Sequence, residues 1–102
     1  MQVRVRVPSA LRELVAGQQS VAVEVGVDAN APGDDVVTVG SVLDALAVDH
    51  PALERRVRDE MGRTRVHVNL FVGSNNVRDL DGLGTPITPD DELSIIPAIS
   101  GG

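Results

Sequence analysis

Side chains able to do covalent chemistry are scarce in this chain of 102 residues. It has no cysteine, which removes thiol nucleophiles, disulfides and thiolate metal sites. All nine basic residues are arginines. Without lysine there is no side-chain amine for Schiff-base chemistry or isopeptide bonding. The two histidines, His50 and His67, stand apart. His50 precedes a proline at a helix break, and His67 falls on a strand opposite its apolar phase, so each reads as a surface or partly satisfied imidazole. Asp28, Asp34 and Asp35 lack the spacing of a calcium loop and read as a solvated, acidic surface loop. Gly82-Leu83-Gly84-Thr85 is followed by Pro86 rather than lysine and fails the phosphate-loop pattern. Ser100 has no following helix and no triad partner. No catalytic residue set, no metal site and no bound cofactor is therefore expected.

What remains is the C-terminal end. The apolar run Leu93-Ser94-Ile95-Ile96-Pro97-Ala98-Ile99 leads directly into Ser100-Gly101-Gly102. The expectation is a strand that finishes in a short free tail, with the Gly102 carboxylate bare at its tip. Glycine lacks Cβ, so such a tail can thread a narrow slot in another protein. The natural chemistry of this end is modification of the terminal carboxylate itself. The chain reads as a substrate or carrier rather than an enzyme.

Composition bounds the remaining possibilities. A chain of this length makes one domain with one modest core. The apolar share is 42%, yet Phe71 is the only aromatic residue, so the core must be built from Val, Leu, Ile and Ala. Abundant valine favours strands. A net charge of −6 argues against nucleic-acid binding, which needs a basic face to displace counterions. No apolar stretch approaches the length needed to span a membrane. The alternating N-terminus lacks the continuous apolar segment of a signal peptide. A cytoplasmic protein with no membrane partner is expected.

Elements follow from periodicity. Val3, Val5 and Val7 alternate with polar residues as a half-buried strand. Ser9 to Ala16 reads as a short helical turn closed by Gly17. Val21, Val23, Val25 and Val27 mark a second strand, antiparallel to the first. Thr38 is a plausible N-cap, and Val39, Val42, Leu43 and Leu46 form one helix face. His50-Pro51 breaks this helix. Leu53, Val57 and Met61 mark a second helical stretch ended by Gly62, with Glu54, Arg55, Arg56, Arg58, Asp59 and Glu60 as a solvated face. Val66, Val68, Leu70 and Val72 predict a third strand. Gly73 to Asn76 predicts a turn, with brief pairing by Val77-Arg78 after it. Leu83 and Ile87 anchor the loop 79–91, and residues 92–98 form the last strand.

This order closes most simply with the first and last strands side by side and parallel and the helix across one face. The result is an α+β, ubiquitin-like β-grasp domain: a mixed sheet of four to five strands with one main helix. The domain spans 1–98, with 99–102 as a flexible diglycine tail. Val3, Val5, Val7, Leu93 and Ile95 would share the core. Arg4, Arg6, Ser94 and Ile96 would share the open face.

Residues 70–102, LFVGSNNVRDLDGLGTPITPDDELSIIPAISGG, carry a resemblance to the ubiquitin-like sulfur carriers of the MoaD/ThiS family. The matching features are Val72-Gly73, the Gly82-Leu83 loop, the Asp90-Asp91-Glu92 turn, and Ile95-Ile96-Pro97 before Ser100-Gly101-Gly102. The Thr38-Val39 helix start and the Pro51-Ala52-Leu53 break also fit, while the longer acidic loop at 28–37 departs from the pattern. The resemblance implies that an E1-like enzyme of the MoeB/ThiF type adenylates Gly102, consuming ATP. Sulfur transfer then gives a thiocarboxylate. Ile99, Ser100 and Gly101 would thread the partner's active site. Phe71, Ile96 and Ala98 would form the partner-binding face. The sulfur-accepting partner would be of the cysteine synthase type, or alternatively the large subunit of molybdopterin synthase. A C-terminal processing peptidase would complete the cysteine cycle. The length, the two helical stretches and the Gly-Leu loop resemble most the cysteine-biosynthesis carriers of actinobacteria. A sulfur donor for a specialised metabolite, a ubiquitin-like modifier conjugated through Gly102, and a plain interaction domain are the competing readings.

Overall fold

The computed structural model describes residues 1–27 and 36–97. The acidic loop expected at 28–35 and the tail at 98–102 lie outside the described residues. The strands are β1 (Gln2–Arg6), β2 (Ser20–Glu24), β3 (Val68–Val72), β4 (Asn75–Asn76) and β5 (Glu92–Pro97). Two helices, α1 (Val39–Asp49) and α2 (Pro51–Val57), lie between β2 and β3. A 3-10 turn at Ser9–Val15 joins β1 to β2. The sheet order is β2-β1-β5-β3-β4. β1 pairs in parallel with β5, and all other neighbours are antiparallel. This is the β-grasp arrangement expected from the sequence.

The core is aliphatic throughout. Val3, Val5, Val7, Leu93 and Ile95 meet Val39, Val42, Leu43 and Leu46 of α1 and Leu53 and Val57 of α2 in one buried cluster. Each strand contributes alternate residues, because successive side chains point to opposite faces. The opposite face carries Arg4, Arg6, Ala22, Ser94 and Ile96, as the alternation requires.

Local chemistry fixes the start of α1. The Thr38 hydroxyl accepts from the Ser41 backbone N–H at 3.2 Å, and the Ser41 hydroxyl accepts from the Thr38 N–H at 2.8 Å. This reciprocal capping box satisfies donors that a helix start leaves orphaned. His50 leaves helical geometry at φ −137°, ψ 65°, as a residue before proline tends to. Pro51 then opens α2, where its missing N–H costs nothing. Gly40 lets the 82–84 turn approach α1, since a Cβ there would sit 3.2 Å from the Leu83 carbonyl oxygen.

Several sequence expectations need correction, beginning with β2, which ends at Glu24 and does not reach Val27, 57% exposed. α2 stops at Val57 and does not reach Met61, which is 74% exposed. Its successor Arg58 turns extended (φ −115°, ψ 149°) and bridges to Thr64. The Asp59 carboxylate then accepts backbone N–H groups of Met61 (2.9 Å) and Arg63 (3.1 Å), stabilising a tight loop in place of another helical turn. Arg58 is not on a solvated face. Its side chain is only 11% exposed and bonds Asp44 of α1 at 2.9 Å and Glu54 of α2 at 3.2 Å.

β3 begins at Val68 rather than Val66, which lies in a turn and is 76% exposed. His67 is in the same turn, not on the strand. Finally, Asn75–Asn76 pair with β3, and Val77–Asp79 forms a 3-10 turn. The hairpin turn is therefore Gly73-Ser74, with Gly73 at φ 61°. No helix among the described residues is long and apolar enough to cross a membrane.

Candidate functional site

The described part of β5 ends beside two depressions and an open sheet face. The last described residue is Pro97, which pairs with Val68 at the start of β3. β1 ends earlier: its final residue, Arg6, pairs with Ser94. β5 therefore runs on past its parallel neighbour and carries the chain out at one end of the sheet.

The open face leads to this exit. Ile96 is 46% exposed and stands opposite Asn69. Phe71 is half-buried and stands opposite Ser94, one side-chain row back on the same face. Diagonal partners of this kind lie about 7–8 Å apart, within reach of an aromatic ring. The structure thus brings two of the three residues expected at a partner face onto one surface. The third, Ala98, lies outside the described residues, as do Gly102 and the tail residues Ile99, Ser100 and Gly101.

Two depressions flank the exit. One, of about 320 Å³, is lined by Arg6, Val7, Pro8, Arg12 and residues Ser94 to Pro97. Arg12 is held there by donating its Nε–H to the Val7 carbonyl at 3.1 Å. The other is a groove of about 760 Å³ between α2 and the start of β3, walled by Arg55, Arg56, Arg65 and His67 and reaching Pro97. Arg65 donates its Nε–H to the Arg55 carbonyl at 2.8 Å, which fixes the base of its guanidinium. Helical periodicity places Arg55 and Arg56 on a solvated face and gives Arg65 no role. Their grouping depends on α2 meeting the β3 approach across ten residues of chain, and no local pattern announces it.

Asp59 is the acidic member of the groove wall. Backbone hydrogen bonding, first from Arg63, holds its carboxyl below the ordinary value of 3.8. His50 caps the C-terminus of α1 and is half-buried. Among the described residues, no group of three or more His, Asp or Glu side chains is placed to hold a metal ion.

A β-grasp domain whose central strand delivers a diglycine end defines a ubiquitin-like protein. The profile of the ThiS family matches residues 5–102. The chain is 34% identical over 104 residues to the sulfur carrier protein CysO of Mycobacterium tuberculosis, covering all of both chains. The crystal structure of that CysO superposes with a TM-score of 0.73 at 32% identity, over 95% of this chain and 99% of that one. A chain of the Amycolatopsis orientalis BexX/CysO complex superposes with a TM-score of 0.78 at 27% identity, over 98% and 99%. Small archaeal modifier protein 1 of Haloferax volcanii is 39% identical over 88 residues, 86% of this chain and 87% of its own. The chain belongs to the ThiS family of ubiquitin-like sulfur carriers, proteins on which partner enzymes act.

Proposed function

We propose that Gly102 is the working residue of a sulfur carrier in cysteine biosynthesis. An E1-like activating enzyme joins the Gly102 carboxylate to the adenylyl group of ATP and releases pyrophosphate. A sulfur nucleophile then displaces AMP and leaves a thiocarboxylate. The physical logic is direct. A carboxylate is a poor electrophile, the adenylate supplies a leaving group, and the terminal sulfur is soft and nucleophilic. Ile99, Ser100 and Gly101 thread the enzyme's active site, while Phe71, Ile96 and Ala98 meet its surface. The thiocarboxylate sulfur displaces the leaving group from the β-carbon of an activated serine derivative. Transfer of the Gly102 acyl group from sulfur to the neighbouring amine then leaves one cysteine attached after Gly102 for a peptidase to remove by hydrolysis. The observation that carries this reading is the full-length similarity to CysO, which includes the diglycine end.

The test is intact-mass measurement after incubation with the host's activating enzyme, ATP and a sulfur source. Exchange of one oxygen for sulfur adds about 16 Da, and the cysteine-bearing intermediate adds about 103 Da, as acyl transfer at this carboxylate requires. A Gly101→Val variant should fold normally yet activate poorly, because β-branching narrows the backbone's options where the tail must thread. Absence of any adduct with the parent chain sinks the carrier mechanism. Sulfur passing instead to a pterin precursor assigns the chain to molybdopterin synthase.

A second reading, conjugation through Gly102 to lysines of other proteins, is supported by the similarity to small archaeal modifier protein 1. Isopeptide adducts on host proteins, found by the same mass measurement, would establish it. The chain has no lysine and cannot accept such bonds on its own side chains.

A further inference from the structure

The chain is acidic overall, but its charge is sorted along β5. At the start of the strand, Asp90, Asp91 and Glu92 line one depression together with Gln2 and Arg4, and Glu24 lies opposite Gln2. At the end, five of the nine arginines line the two depressions around Pro97: Arg6 and Arg12 on one side, Arg55, Arg56 and Arg65 on the other. The six residues of β5 separate these poles by roughly 17 Å at a strand's usual rise. The basic pole is only partly neutralised internally: Asp59 interacts with Arg65, and Glu54, Asp59 and Glu60 share a neighbouring depression with Arg55 and Arg65. Among the described residues, the arginine ion pairs involve Arg58 and Arg63 but not Arg55, Arg56 or Arg65. Asp59, the carboxylate in the groove, already accepts two backbone N–H groups and faces Arg63.

We infer that the groove of Arg55, Arg56 and Arg65 is a docking surface for an acidic rim of the activating enzyme that takes the C-terminus. This rests on the carrier reading above. Gly102 is five residues beyond Pro97, which lines the groove, so it lies at most about 18 Å from that residue. An enzyme that closes on Gly102 therefore works within reach of this wall. Covering the guanidinium groups of Arg55 and Arg56, which form no ion pair among the described residues, with a neutral lid would strip their water without compensation. Carboxylates offset that loss by their opposite charge. Opposite charge also steers the encounter so that the tail end, rather than the acidic end, arrives first.

The experiment follows ATP–pyrophosphate exchange by the host's activating enzyme against concentration of the full-length carrier. It is run at about 50 and about 300 mM NaCl, which bracket the ionic strength at which charge is screened within ~8 Å. Arg55→Glu with Arg56→Glu should raise KM for the carrier about tenfold at the lower salt, leave kcat within about twofold, and lose most of this effect at the higher salt. Arg55→Lys with Arg56→Lys should restore a near-parental KM. Thermal denaturation of each variant checks folding, and single Arg56→Glu serves if the double variant does not fold.

An unchanged KM at low salt overturns the inference. So does a shift in KM for ATP instead of the carrier, or lysine variants that behave like the glutamate ones. A parent chain that supports no exchange at all fails the carrier reading itself, and the docking surface falls with it.

Discussion

Ile95 and Ile96 are adjacent on β5, yet one is 2% exposed and the other 46%. The same contrast runs across the sheet. The covered face presents Val3, Val5, Leu70 and Leu93 to α1 and α2, with no polar group among them. The open face presents Arg4, Arg6, Asn69, Ser94 and the half-buried Phe71. One face is a continuous aliphatic layer. The other is polar with an apolar spot near the exit of the chain. The difference separates two environments on one strand: one side is buried in the aliphatic core, and the other is left open to solvent.

The comparison makes its strongest prediction at its own pair. Ile95→Ala should cost about 2–5 kcal/mol of stability, as aliphatic core truncations do. Ile96→Ala should cost below about 1 kcal/mol, as exposed truncations do, but weaken affinity for the activating enzyme several-fold. Thermal denaturation and a binding titration on both variants check this. If Ile96→Ala is the more destabilising, the contrast between the faces is wrong.

A smaller effect is expected where polar chemistry does hold the covered side together. Arg58 clasps Asp44 and Glu54 and so links α1 to α2. Asp44 is well exposed, so its pair contributes little; the cost comes from leaving Glu54 without its partner. Arg58→Met, which keeps the aliphatic stem, should lose about 1–2 kcal/mol in urea unfolding. A loss comparable to Ile95→Ala would mean that the helical layer depends on this ion pair as much as on its aliphatic packing.

The least effect concerns Asp59, whose carboxyl titrates below 3.8 in the folded chain because backbone N–H groups stabilise its charge. A depressed folded value contributes stability that is complete above the unfolded value and is lost as pH falls through the folded one. Asp59→Asn should therefore be less stable than the parent at neutral pH, with the gap closing below pH 3.8. Parallel stability curves from pH 7 to the acid limb would show that the loop after α2 does not depend on this charge.

Strand phase was legible because alternation reports burial directly. Val3, Val5 and Val7 identified the core face of β1, and Leu93 and Ile95 that of β5. The α1 stripe and its Thr38 cap were equally plain. The segment from Arg58 to His67 was misread because its apolar residues happen to continue the neighbouring patterns. Met61 fits a helix and Val66 fits a strand, yet Asp59 captures the backbone between them. Phe71 and Ile96 could be placed together on the open face from strand phase alone. The arginine wall could not, since Arg55 and Arg65 meet only after α2 and β3 have been packed by residues that say nothing about them.

The strand order has a mechanical consequence. β5 is the middle strand of five, flanked by β1 in parallel register and β3 in antiparallel register. Tension applied through the C-terminus would enter the molecule along that strand and load both ladders lengthwise, so hydrogen bonds on its two sides must shear together instead of unzipping one at a time. An enzyme could tug hard on the end of this chain while the domain behind it stays folded.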